Sequence, residues 1–134
     1  MIRQGEIYRD SLYSYPAGNT EEKFLIILSK IHLPSTPIVV TPCTTNKANR
    51  KYHPGCNHAS TIFYLERNQD FFVNDTIVQL YIIDEIKSEK FEEKRQERII
   101  ELHASLKKET LQRLMKCVLE LKEDIPESLH HLLF

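Results

Sequence analysis

At 134 residues the chain fits one domain, and a globule of that length buries enough surface for a single core without covalent staples. Its net charge of −1 argues against a generic polyanion binder with an evenly basic surface. No run approaches the roughly 20 apolar residues of a bilayer span, and the start Met1-Ile2-Arg3-Gln4-Gly5 lacks the basic-then-apolar build of a signal peptide. Three cysteines (Cys43, Cys56 and Cys117) are an odd, sparse set that argues against a disulfide framework, so the expectation is a reduced, cytoplasmic protein.

The first two-thirds of the chain reads as β. Gly5-Glu6-Ile7-Tyr8-Arg9 alternates after a glycine, as a strand does. Pro16, Gly18 and Asn19 mark a loop. Phe24-Leu25-Ile26-Ile27-Leu28 is continuously apolar but too short for a lone helix, which predicts a strand buried on both faces. Pro34 and Pro37 bracket the next turn. Ile38-Val39-Val40-Thr41 is β-branched throughout, and Pro42 after it predicts an edge strand or a bulge. A polar loop follows, then a strand at Thr61–Leu65. Asn74-Asp75 turns the chain into Thr76–Ile83, the longest β-type run.

The remainder changes character. Lys87–Arg98 is densely charged and predicts a short helical connection, with a further strand over Arg98–His103. Ser105 is a candidate N-cap. Leu111, Leu114, Met115, Val118, Leu119 and Leu121 then form one apolar stripe on a helix ending near Glu123. After Pro126, Leu129, Leu132, Leu133 and Phe134 are expected to dock back on the core. There is no repeat and no linker, so residues 1–134 are one domain. Strands first and helix last predicts an antiparallel α+β architecture.

The charges are unevenly placed. From Phe24 to Leu65 there is no Asp or Glu, yet Lys30, Lys47, Arg50 and Lys51 lie within that stretch. Buried strand accounts for the gap at Phe24–Leu28 and Ile38–Val40, but not in the polar loop Thr44–His58. There Thr44-Thr45-Asn46-Lys47-Ala48-Asn49-Arg50-Lys51-Tyr52-His53 mixes hydroxyls, amides, bases and an aromatic ring. That mixture suits RNA, with cations for phosphate, amides for base edges and Tyr52 for stacking, although an ordinary solvated loop carries similar residues. His53, Cys56 and His58, with Cys43 upstream, are potential zinc ligands. Their spacing matches no paired grip, so a loop with incidental ligands is the simpler reading. His53 or His58 is instead a candidate acid–base group, since imidazole titrates near neutral pH.

The order of segments resembles that of PemK/MazF-type toxins. Gln4-Gly5-Glu6-Ile7-Tyr8 is similar to their opening strand, Lys23–Ser29 to their second, and Ile38–Asn46 to their third, which ends in Thr and a polar pair. Asp75-Thr76-Ile77-Val78-Gln79-Leu80 resembles a later strand of the family. The resemblance spans nearly the whole chain through short, degenerate motifs. It implies a small SH3-like antiparallel β-barrel with a C-terminal amphipathic helix packed on the sheet, acting as a homodimer. It further implies a toxin that cleaves single-stranded RNA sequence-selectively by attack of the ribose 2′-OH, without a metal or other cofactor, and that a cognate antitoxin neutralises. Carried onto this sequence, the catalytic positions are Lys23 and Thr44, with Thr45 and His53 beside them. The RNA-binding residues are Asn46, Lys47, Arg50, Lys51, Tyr52 and Tyr15. Lys23 stands where the family has Arg, so a point charge replaces a bidentate fork, and Asp84 stands where many members have Arg. These departures leave open a binding module without catalysis. A topoisomerase inhibitor of the CcdB branch is a third reading, weakened by the absence of Trp.

Overall fold

A computed structural model of the protein describes residues 2–15, 18–30 and 35–134. The turns expected at Pro16 and Pro34 fall outside the described residues. Eight strands form one sheet: β1 (Glu6–Ser14), β2 (Thr20–Ile27), β3 (Ile38–Thr45), β4 (Gly55–Asn57), β5 (Ile62–Leu65), β6 (Thr76–Val78), β7 (Asp84–Ile86) and β8 (Ile100–Ser105). Helix α1 (Ser88–Gln96) precedes β8, and α2 (Lys108–Glu120) follows it. Two 3₁₀ turns then lead to the short α3 (His130–Leu133). The strand order is β4-β5-β6-β3-β2-β1-β8, with β7 also on β3, and every pairing is antiparallel. The fold is mixed α+β as expected, but the sheet is open: its path ends at β4 and β8 and does not close into the expected barrel.

Period-two alternation explains the central strands. Ile26 and Leu28 enter one core cluster, and Leu25 and Ile27 the other. Ile7 and Tyr8 divide in the same way, as do Val39 and Val40. Each face therefore has its own cover, so the second strand is apolar at every position from Leu25 to Leu28. On one face α2 contributes Leu114, Cys117 and Val118, and the last turns add Leu129, Leu132 and Leu133. On the other, α1 inserts Phe91, its single buried residue, edge-on against Tyr8 with ring centroids 5.2 Å apart.

Three local expectations are revised. Pro42 does not make β3 an edge, because β3 is paired on both sides; its outer neighbour changes at the proline, from β7 along Ile38–Val40 to β6 along Cys43–Thr45. The Thr76–Ile83 run is accordingly broken. Only Thr76–Val78 is strand there, and the chain turns through Gln79–Ile83 before β7. Ser105 ends β8 rather than capping α2, whose N-cap is Lys107 with no side-chain cap; the Lys107 amide donates to Asp70 Oδ2 at 3.0 Å.

The cysteine expectation is corrected as well. Cys56 on β4 and Cys117 on α2 form a disulfide across 61 positions of sequence, with Cα atoms 5.4 Å apart. A cysteine count carries no information about which strand a helix will face, and here α2 lies against β4. Cys43 remains a free thiol, buried in β3, where burial pushes its pKa far above the ordinary thiol value. Opening the disulfide releases a long loop in the unfolded chain. Reduction with a chelator present is expected to lower the unfolding free energy by about 2–4 kcal/mol, read as a drop in the urea midpoint.

Candidate nucleic-acid interface

The pairings place one residue from each of five strands in a row across the sheet. Asp10 of β1 lies opposite Lys23 of β2, and Lys23 is one step along from the Phe24–Cys43 pair, which sets it beside Thr44 of β3. Thr44 faces Ile77 of β6, and Ile77 faces Tyr64 of β5. Strand alternation turns Lys23 and Thr44 to the same side of the sheet. The row thus brings together the two residues that the family resemblance selects for the phosphate.

Beyond Thr44 the surface opens into a cleft of about 490 Å³, lined by Thr44, Thr45, Asn46, Lys47, Arg50, Tyr52, Tyr81 and their neighbours, with no acidic residue among them. Six of the ten sequence-selected residues meet here. Lys47 and Arg50 are exposed and form no ion pair with the described residues. Tyr52 is half-buried, its ring 5.6 Å from that of Tyr64. Tyr81 is 57% exposed, and its hydroxyl accepts from Gln79 Nε2 at 2.8 Å.

The cleft owes its shape to a buried amide. Asn46 Nδ2 donates to Arg50 O at 2.8 Å and to Tyr64 Oη at 3.2 Å, while Asn46 Oδ1 accepts from the Arg50 amide at 3.1 Å. The side chain closes the Lys47–Arg50 turn on itself, an Asx-type device that a polar side chain uses against nearby backbone. Asn46, which the sequence suggests as an RNA-binding amide, uses that amide within the loop and so positions Lys47 and Arg50. Asn57 does the same one loop later, donating to His53 O at 2.9 Å and Gly55 O at 3.0 Å.

The other four sequence-selected residues lie outside the cleft. Lys51 is exposed and does not line it. His53 has its ring Nε2 at 2.7 Å from the Cys56 carbonyl, which requires the proton on that nitrogen. Tyr15 and Lys23 belong together: the Lys23 ammonium is buried, 3.2 Å from Glu21 Oε1 and 5.6 Å from the centre of the Tyr15 ring. Burial pulls the Lys23 pKa down, but hydrogen bonding to Tyr15 and Glu21 outweighs it and leaves the pKa raised. Lys23 is thus held as a cation and not as a base. Asp84, which stands where many family members have Arg, begins β7 opposite Val40 and lines a different depression with Asp10 and Lys94.

Sequence reading missed Tyr81 and Tyr64. Tyr81 lay in what reads as continuous strand, and only the break after Val78 turns it outward. No protein-family model and no curated protein matches the chain. Among the described residues no helix is long and apolar enough to cross a membrane.

Two outcomes follow from this geometry. Asn46→Ala removes three hydrogen bonds and is expected to lower stability by about 1–3 kcal/mol, with faster hydrogen exchange at the Arg50 amide as the local readout. A raised lysine pKa adds stability that is complete below the ordinary lysine value of 10.5 and is lost as pH rises through the folded value. In a lysine-resolved NMR titration, Lys23 should lose its proton later than the exposed lysines.

Proposed function

We propose that this chain binds single-stranded RNA in the Thr44–Tyr81 cleft and cleaves it as a PemK/MazF-type toxin does, by 2′-OH attack on the adjacent phosphate without a metal. The observation that carries the reading is the cleft itself: the hydroxyls of Thr44, Thr45 and Ser60, two cations with no ion pair to the described residues and two tyrosines, with no acid among the lining residues to repel a phosphate chain. Lys47 and Arg50 neutralise phosphates, and Tyr52 and Tyr81 offer ring faces for splayed bases. At the scissile group the Thr44 hydroxyl and the charged Lys23 ammonium stabilise the pentacoordinate phosphate. In the same reading the partners are a second copy of the chain and an antitoxin that covers the cleft.

One observation favours a second reading, in which RNA is bound but not cut. No imidazole or carboxylate lines the cleft to serve as general base: His53 lies outside it, and Lys23, also outside, is held protonated beside Glu21.

Incubation with a long single-stranded RNA in EDTA separates the two. The cleavage reading expects discrete fragments with 5′-hydroxyl ends, lost in Thr44→Ala and Lys23→Ala. Binding without fragments supports the second reading. In both cases Lys47→Ala with Arg50→Ala should weaken binding at least about tenfold and lower the slope of log affinity against log salt by one to two. Unchanged affinity in that double variant removes the cleft from consideration.

A further inference from the structure

A different cluster of chemically capable side chains lies where β4 meets α2. Cys56 sits in β4, and His58 opens the 3₁₀ turn two residues later. Cys117 and Glu120 are one helical turn apart on α2 and so share a face. The ligand atoms of Cys56, His58 and Glu120 all lie within 4.8 Å of one another, and Cys117 Sγ is bonded to Cys56 Sγ. His58 Nε2 stands 2.9 Å from Glu120 Oε1. β4, the 3₁₀ turn and α2 thus gather the Cys56, His58 and Glu120 ligand atoms in one corner of the fold, with Cys117 Sγ bonded to Cys56 beside them.

We propose that, once the Cys56–Cys117 disulfide is reduced, these four groups bind a zinc-class divalent cation. Thiolate and imidazole ligands select this class over magnesium or calcium, and four protein ligands complete its tetrahedral shell. The geometry asks little of the fold. Zinc–sulfur bonds of about 2.3 Å hold two sulfurs roughly 3.8 Å apart, a separation compatible with the Cα spacing of 5.4 Å through side-chain rotation. His58 and Glu120 are 59% and 40% exposed, so the ion enters from solvent and the two residues close over it.

The chemistry balances. A phosphine reductant gives two electrons to the disulfide and leaves as its oxide with an oxygen from water, and two protons complete the two thiols. The cation then displaces both thiol protons, and His58 binds as neutral imidazole while Glu120 binds as carboxylate. Oxidised chain offers no thiolate, so disulfide and metal are mutually exclusive occupants of one corner. Cys43 has no part in the site, since it is buried in β3 away from this cluster.

Cobalt(II) is the probe. Protein reduced by phosphine, freed of reductant and kept anaerobic should take up one cobalt per chain, with thiolate-to-cobalt charge transfer in the near ultraviolet and intense tetrahedral d–d bands. Added zinc should bleach both, and the oxidised protein should show neither. His58→Ala and Glu120→Gln keep both cysteines and change exposed side chains; each should weaken cobalt binding about tenfold or more and alter the d–d bands. Cys43→Ala should leave the spectrum unchanged. The proposal is overturned if reduced protein shows no charge-transfer band, if the His58 and Glu120 variants give an unaltered spectrum and affinity, or if reduction abolishes the far-ultraviolet circular dichroism and zinc does not restore it.

Discussion

A missing proton at Pro42 organises the middle of this molecule. β3 is paired along its inner edge with β2, so only the outer edge can absorb a residue with no N–H. The Pro42 carbonyl accepts from the Gln79 amide at 2.9 Å on that outer side, and the proline nitrogen faces the same way. No single strand can pair continuously past such a point. The outer edge is therefore divided between β7 and β6, and the chain between them must leave the sheet. Thr41 stabilises that departure, its hydroxyl lying 2.9 Å from the Gln79 carbonyl and 3.2 Å from that of Ile82. The resulting turn lifts Tyr81 out of register and sets it above the cleft.

On the other side of the same proline, Cys43, Thr44 and Thr45 pair with β6 and end in the Asn46 turn. The cleft is thus framed by two consequences of one residue, a turn carrying Tyr81 and a strand end carrying the threonines. Its electrostatic character has a separate origin in the composition of the loop. Among the described residues Lys47 and Arg50 form no ion pair, and Asn46 keeps their backbone in a compact turn. A cation without an internal partner contributes little to folding and remains free to meet an external anion.

Lys23 shows the opposite arrangement. It is a buried ammonium with an acid and an aromatic ring already in place, on the same row as Thr44. Glu21 stabilises its charge in the folded chain and competes with any phosphate that approaches it. The cations therefore differ in kind: Lys23 on β2 is already paired with Glu21, whereas Lys47 and Arg50, in the loop after β3, form no ion pair with the described residues. At the far rim of the sheet, β4 and α2 are joined by the Cys56–Cys117 disulfide, with His58 and Glu120 beside it, a grouping with no counterpart in the cleft.

Much of this was legible in residue order. Alternation and β-branching located β1, β2, β3 and β5 to within a few residues, because a pleated strand has period two whatever it pairs with. The stripe from Leu111 to Leu121 located α2 for the corresponding reason in a helix. The acid-free stretch marked the loop that lines the cleft, since charge sign is a property of composition. Tertiary structure decided the rest. Whether the sheet closed, that Pro42 divided one long run into β6, a turn and β7, that Asn46 faced inward, and that Cys56 met Cys117 all depend on contacts between residues far apart in the chain. Local periodicity reports which face of an element is apolar; it does not report which element arrives to cover it.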